Sequence, residues 1–296
     1  MSYDSHMRIA LATCSNLPDW EVDDKPLHAA MVERGVDLVH PDWRDGEFDW
    51  GRCDACLIRT TWDYQDHHEA FVAWAARVAT QTRLFNPFEL VQWNTDKHYL
   101  RDLESRGVSI IETVWLETGA QVDLKPTLAK RGWSKAFLKP VIGATARETL
   151  RFDATDDGIE LATRHLDRLL AGESMMLQPY LANVETEGEL SVILIDGQVT
   201  HCVRKIPVPG DYRVQDDFGG SDEPVELSEL ELDLARSIVA KVHWPWLYAR
   251  VDFLREDDGA LRLSELEMVE PSMFFRHCPT AANRLAEALC RRVREA

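Results

Sequence analysis

The chain has 296 residues, too many for one small core and enough for two or three compact subdomains with a cleft between them. Hydrophobic residues make up 45% and charged residues 28%, as in ordinary globular proteins, and no apolar run is long enough to span a bilayer, so no membrane partner is expected. Acidic residues outnumber basic ones 51 to 33, and the net charge of -18 argues against general nucleic-acid binding and requires any anionic ligand to meet a local cationic pocket.

Ser5-His6-Met7 reads as a vector remnant ahead of a start at Met7, and no charged-then-apolar signal follows, so the cytoplasm is the expected compartment. An apolar run at 8–13 predicts a strand, followed by a helix over 26–34 and strands over 36–40 and 55–58. A second helix over 65–80 precedes Asn86-Pro87, a chain breaker. Residues 7–90 therefore read as a small open α/β domain. Cys53 and Cys56 form a lone C-x-x-C beside the apolar run at 56–58. Without a second pair, core packing is the simpler reading against a metal or redox site, and all six cysteines are expected to be free thiols.

Asn94-Thr95-Asp96-Lys97 offers N-cap chemistry for a helix ending at Gly107, which begins a second domain. Strands are expected at 109–112, 136–140, 149–152 and 175–178, with a helix over 155–170. Strands at 190–195 and 199–207 flank Asp196-Gly197, a strong hairpin signal. A helix over 227–242 leads to strands at 248–254 and 261–268, joined through Asp257-Asp258-Gly259, and a helix over 281–293 closes this last part.

The most specific chemical element is Arg250-x-Asp252 on one strand with Glu265-x-Glu267 on the next. Alternation sends Glu265 and Glu267 to one face and the hairpin brings Asp252 beside them. Carboxylates converging among Leu263, Leu266 and Met268 are costly unless a cation sits with them, and Mg²⁺ (or Mn²⁺) bound to nucleotide phosphates meets that need; the alternative is a solvated acidic hairpin. Lys139 ends a buried strand and Lys97 opens a helix, both placed to meet phosphate. The small, polar stretch 141–147, with Gly143, suits a loop covering phosphates. Gln178-Pro179-Tyr180-Leu181 is the kind of irregular hinge that holds an adenine ring, or else a plain strand end. Adjacent His67 and His68 face different ways on a helix and read as exposed polar residues rather than a metal pair.

In this order the pieces resemble the ATP-grasp superfamily over roughly residues 91–280: Lys97, Lys139, the loop at 143–147, the hinge at 178–181, Gly188-Glu189, Arg250-x-Asp252 and Glu265-x-Glu267. The resemblance implies two α+β subdomains, 91–180 and 181–296, clasping MgATP behind the 7–90 domain, and a ligase that makes an acyl phosphate and couples it to an amine. Two departures stand out: Glu267 occupies a position that most members fill with Asn, and the loop at Gly143 is poor in glycine. Within the superfamily, several stretches look like the ligases that close O-ureido-serine into cycloserine. They are residues 59–64, 93–97, 185–189, Arg204-Lys205 with 209–215, and Glu267-x-x-Glu270-Pro271-Ser272.

The roles that follow are expectations. Lys97, Lys139 and Arg213 would neutralise phosphate while Asp252, Glu265 and Glu267 hold the metal. Lys205 joins Arg213 in the catalytic group, and Arg250 would stabilise the oxyanion, or else pair with Asp252. Glu185 or Glu189 would hold the ribose hydroxyls. Arg59, Trp62 and Asp63, just past a strand of the first domain, fall to the substrate, with Arg59 on its carboxylate and Glu270 on its ammonium. The loop at 204–215 would close over the reaction. The implied partner is a small amino-acid-like carboxylate, and a homodimer is compatible with it. An intermolecular ligase acting on an amino acid or peptide, and a nucleotide-binding regulator without turnover, are the alternatives.

Overall fold

The structure, a computed structural model, describes residues 7–295 apart from 16, 18–21, 145 and 215–217. Thr145 of the expected phosphate loop, Gln215 of the expected closing loop and the supposed remnant at 1–6 lie outside the described residues. Alternating apolar runs and amphipathic helices build a parallel sheet first: β1 (Arg8–Thr13), α1 (Lys25–Val32), β2 (Asp37–Val39), β3 (Ala55–Thr60), α2 (His68–Ala79) and β4 (Arg83–Phe85), in strand order β2-β1-β3-β4. β3 is buried throughout its length, which is why it reads as a continuous apolar run. Cys53 and Cys56 are both buried free thiols, so the C-x-x-C belongs to this core.

The next stretch runs α3 (Phe88–Asn94), α4 (Tyr99–Ser105), β5 (Val114–Leu116), α5 (Leu124–Arg131), β6 (Lys135–Pro140), β7 (Leu150–Asp153), α6 (Asp156–Leu169) and β8 (Met175–Pro179). Its strands form an antiparallel sheet in the order β5-β8-β6-β7. The helix expected from 94 to 107 is α4, which starts only at Tyr99, and the shorter α3 precedes it. Pro87 caps α3 instead of merely breaking the chain, and the turn before α4 is held by the Asp96 carboxylate accepting from His98 N and by Lys97 N donating to Val141 O. The strand expected at 109–112 reduces to an isolated bridge between Ile110 and Leu263.

The last stretch comprises α7 (Val184–Glu187), β9 (Glu189–Ile195), β10 (Gln198–Ile206), β11 (Ser221–Pro224), α8 (Glu229–Val239), β12 (Tyr248–Arg255), β13 (Leu261–Glu267) and α9 (Pro279–Arg294). Its sheet has the order β11-β10-β9-β12-β13. Asp196 and Gly197, at φ +51° and +77°, make the tight β9–β10 turn that the sequence announced. β11, Ser-Asp-Glu-Pro, has no apolar alternation and was not legible, although a short charged edge strand is how sheets protect an open edge. α9 packs along α1, and Leu285 and Leu289 share one core with Leu27 and Met31 of the first layer and Ile193 of β9. The helix expected to close the last part therefore also returns to the first.

Two buried asparagines brace the layers where β12 and β13 meet. Asn86 Nδ2 donates to the carbonyls of Tyr248 (3.0 Å) and Met268 (2.8 Å), and its Oδ1 accepts from Leu247 N (2.6 Å). Asn94 Nδ2 donates to Leu266 O and its Oδ1 accepts from Met268 N. The hairpin that carries the acidic residues is thus fixed against α3 and the end of the first sheet by asparagine side chains bonded to its backbone.

Candidate active site

A cleft with a cavity volume of about 360 Å³ opens over the β12–β13 hairpin and is walled by β6, the hinge after β8, the loop after β10 and the segment after β13. Antiparallel register sets Arg250 opposite Glu267 and Asp252 opposite Glu265, with an irregularity just after Asp252. The convergence expected from alternation is therefore present, and all four side chains line the cleft. On the other side of β12, Ser191 of β9 is the neighbour of Asp252 and donates its hydroxyl to the carboxylate at 2.6 Å.

Each carboxylate faces a cation. Lys139, from the end of β6, and Lys97, from the turn before α4, approach Glu265 at 3.3 and 3.7 Å. Lys97 Nζ also donates to Gly143 O at 2.5 Å, which ties the loop to the same group. Lys205 of β10 lies between Glu189 (2.5 Å) and Asp252 (3.1 Å). Arg250 forks onto Asp252, reaches Glu267, and donates to Ser272 O at 3.1 Å. The ion pair with Asp252 offered as an alternative for Arg250 is formed, and the guanidinium lines the cleft as well.

The charges are unevenly settled. Burial pushes the Asp252 carboxyl up, but Arg250 and Lys205 outweigh it and hold the group well below its ordinary range. Burial opposes the charge on Glu265 as well, and Lys97 and Lys139 bring it below its usual value. Burial lowers Lys205, and Asp252 and Glu189 more than restore it. Glu267 goes the other way. Burial, against Arg250 and with the nearby Asp252 and Glu265 charges, raises it to about 7. Glu270 rises to about 8 through burial and the Glu267 charge.

This crowding is the test of whether a divalent cation fits. Glu265 and Glu267 offer hard oxygens from one strand face, with side chains 26% and 29% exposed toward the cleft, and Glu267 gives up its proton reluctantly until another cation arrives. Asp252 is 2% exposed and both its oxygens are engaged by Arg250, Lys205 and Ser191, so it would reach a metal only by exchanging one of them. Among the described residues no three His, Cys, Asp or Glu side chains stand together as a preformed metal site. The donor set fits Mg²⁺ through the two glutamates first.

At the other end, Gln178, Tyr180 and Leu181 of the hinge line the cleft with Phe137 and Tyr212, an apolar and aromatic slot of the kind a planar base enters. Gln178 Nε2 donates to Thr113 Oγ1. Of the two acids expected at a ribose, Glu189 lines the cleft and Glu185 does not. Glu185 is held by Arg151 (2.9 Å) and the Tyr180 hydroxyl (2.5 Å), contacts that commit it to the cleft wall. The Arg151 guanidinium lies over both Tyr180 and Tyr212 and donates to Gly210 O, so the loop after β10 is fastened to the hinge. Arg213 lines the cleft but is paired with Asp211.

The substrate residues divide. Trp62 and Glu270 line the cleft, and Trp62 Nε1 donates to the Glu270 carbonyl at 3.0 Å. Arg59 does not line it. It is 1% exposed, forks onto Asp24 with two 2.8 Å bonds and donates to Pro271 O, so it braces the turn behind Glu270 and is not free for a substrate carboxylate. Asp63 accepts from Trp43 Nε1 and pairs with Arg44, also outside the lining. Of the adjacent histidines, His67 is exposed but His68 is half-buried against Thr95 Oγ1. Sequence reasoning missed Phe137, Phe274 and Arg276 as lining residues, and placed Tyr212 only within the loop expected to close over the reaction. Phe137, alternating with Lys139 on one strand, was the one with a usable signal.

Two family models match the chain: "D-cycloserine synthetase DcsG, N-terminal domain" over residues 9–86, and "Prokaryotic glutathione synthetase, ATP-grasp domain" over residues 121–253. The chain is 32% identical to the cycloserine biosynthesis protein DcsG of Streptomyces lavendulae over 300 aligned positions, 97% of this chain and 99% of the relative. The crystal structure of D-cycloserine synthetase DcsG superposes with a TM-score of 0.88 at 30% identity, covering 97% and 99% of the two chains. The ATP-grasp ligase PsnB, solved with its minimal precursor, Mg and ADP, shares the fold at a TM-score of 0.62 and 18% identity, with coverage of 97% and 98%.

Proposed function

This chain belongs to the ATP-grasp ligases, as a relative of the cycloserine synthetase DcsG, and we propose that it uses MgATP to activate the carboxylate of one small amino acid and closes it onto the oxygen-bound nitrogen of the same molecule with loss of phosphate, converting O-ureido-serine to cycloserine once water takes the carbamoyl group off that nitrogen as CO₂ and ammonia. The observation that carries the reading is the face of the β12–β13 hairpin, where Lys97 and Lys139 meet Glu265 while Arg250 meets Glu267 within one cleft. Lys97 and Lys139 turn from Glu265 to the phosphates when nucleotide enters, which frees that carboxylate for a metal. Bound Mg²⁺ would supply positive charge to the β- and γ-phosphate oxygens from the side of Glu265 and Glu267, with Asp252 joining if it releases a cation.

The substrate carboxylate lies near Arg250, whose charge neutralises the carboxylate during attack on the γ-phosphorus and then the oxyanion of the addition step. Glu270 receives the ammonium end, and Trp62 forms the wall beside it. Gln178, Tyr180 and Leu181 take the adenine, and Glu189 the ribose, with Lys205 between it and the metal carboxylates. The loop after β10, fastened by Arg151, keeps water from the acyl phosphate. In this reading 7–90, 91–180 and 181–296 act as three units, with α9 returning to the first, and dependence on ATP places the work in the cytoplasm.

ADP release tests this. It should require a divalent metal and a small free carboxylate, and ATP should protect the protein from heat much more strongly without EDTA than with it. ADP release with peptides but not with free amino acids would refute the substrate class, and absence of any metal-dependent shift would refute the nucleotide site.

A further inference from the structure

We propose that Gln65 is a positioning residue that seats the phosphate-covering loop before nucleotide arrives; this deepens the function proposed above and rests on it. Gln65 sits in the 3-10 turn Tyr64–Asp66, just past Trp62 and ahead of α2. Its side-chain carbonyl accepts from the backbone N–H of Ala144, in the loop between β6 and β7. Gly143 and Ala144 line the cleft and Gln65 does not, so the bond lies behind the loop, on its first-domain side. The face of the loop toward the cleft stays open for phosphate.

The loop is shaped as a glycine-rich one would be, without the glycines. Gly143 is the one glycine between 141 and 149, yet Ala146 and Glu148 hold φ of +53° and +51°, a region that disfavours side chains and persists where the surroundings impose it. The surroundings here are side chains. Lys97 Nζ donates to Gly143 O at 2.5 Å, Arg147 Nη2 donates to Ile142 O at 2.9 Å, and Arg147 also pairs with Glu173. His165 Nε2 contacts Glu148 O at 2.9 Å, and Arg168 forks onto the Glu148 carboxylate. All these groups come from the same stretch of chain as the loop. Gln65 adds a hold from the domain that carries the substrate wall, and its own segment is fixed there: Trp62 Nε1 donates to Glu270 O at 3.0 Å, and Tyr64 is buried with its ring 4.9 Å from that of Phe71.

The consequence appears when nucleotide enters. Lys97 then turns to the phosphates and the Gly143 carbonyl loses its tie, while the Gln65 bond on the next residue keeps the loop seated. A loop already in place gives up little conformational freedom on binding, so nucleotide affinity is higher than for a loop that must be ordered by its ligand.

The test compares the full-length protein with Gln65→Ala and with Gln65→Glu, which keeps an acceptor oxygen for Ala144 N. Hydrogen exchange of the nucleotide-free protein over 141–149 should quicken in Gln65→Ala at several amides, not at Ala144 alone, and stay slow in Gln65→Glu. Calorimetric titration with a non-hydrolysable ATP analogue and Mg²⁺ should give a Kd about tenfold weaker in Gln65→Ala, the scale of one hydrogen bond. With O-ureido-serine, KM for ATP should rise by a similar factor and kcat should fall less. Should Gln65→Ala fail to fold, Gln65→Met, of similar length but without the carbonyl, takes its place. Faster exchange confined to Ala144, or an unchanged Kd, overturns the proposal. A tighter Kd overturns it too, since Gln65 would then be occupying an amide meant for phosphate. Failure of the wild type to release ADP with O-ureido-serine, with exchange and Kd changing as stated, overturns the ring-closure reading alone, and absence of Mg²⁺-dependent binding of the analogue by the wild type overturns both.

Discussion

Replacing Glu265 by Gln keeps the shape of the side chain and removes the charge that Lys139 and Lys97 approach at 3.3 and 3.7 Å. At an effective dielectric of about 20, each contact is worth roughly 5 kcal/mol of gross Coulomb attraction, most of it offset by desolvation. The side chain is 26% exposed and both lysines can turn toward water in the cleft. We therefore expect a net stability loss of only about 1–2 kcal/mol, in the range of a charged hydrogen bond. Catalysis should suffer far more. A preorganised charge at the site of phosphoryl transfer is worth about 3–4 kcal/mol, so kcat should fall roughly 10²- to 10³-fold. ATP binding without metal should hold or tighten, because the lysines lose a competing carboxylate, while the benefit of Mg²⁺ should shrink. Steady-state ADP release and calorimetric titration of ATP with and without Mg²⁺ read these separately. A kcat within tenfold of wild type, or an ATP affinity that collapses while the metal benefit persists, would refute the assignment.

Two further predictions concern the frame and the substrate end. Asn86→Ala strands Leu247 N–H and the carbonyls of Tyr248 and Met268 in a buried seam, and should cost about 2–4 kcal/mol by urea unfolding; a loss below about 1 kcal/mol would mean that the seam does not depend on it. Glu270, raised from 4.5 to about 8 by burial and the Glu267 charge, holds a proton in the fold that the unfolded chain releases. Its contribution is fully present below pH 4.5 and is lost as pH rises through 8, so the nucleotide-free protein should melt lower at about pH 9 than at about pH 6, with a shallower slope in Glu270→Gln. Equal slopes in the two proteins would contradict this.

Much of the fold was legible because its signals are local. The β1 and β3 runs, the Asp196-Gly197 hairpin and the Asp252 to Glu265 pairing follow from alternation and turn chemistry. Lys139 could be singled out because a lysine ending a buried strand needs an anion, and Glu265 is there. What was not legible depends on partners distant in sequence. Nothing near Arg59 announces Asp24 as its counter-ion, so it read as a free cation after a strand. Arg276 offered no signal at all, because Asp23 and Asp222 reach it through the tertiary fold. Glu185 looked equivalent to Glu189 until Arg151 and Tyr180 claimed it. The late start of the helix expected at 94–107 likewise involves a distant contact, Lys97 N to Val141 O.

The central claim is that the activated carboxylate and its nucleophile belong to one small molecule. Oriented intramolecular attack can reach effective molarities of ~10⁵ M or more, so no second amine is required once the acyl phosphate forms in a closed site. The direct measurement supplies O-ureido-serine as the sole carboxylate with MgATP and follows ADP and the product together, the latter by mass spectrometry. We predict that cycloserine and ADP appear in equal amounts with no added amine. ADP release that begins only when a separate amine is supplied, with the two molecules found joined, would contradict ring closure while leaving an intermolecular ligase in its place.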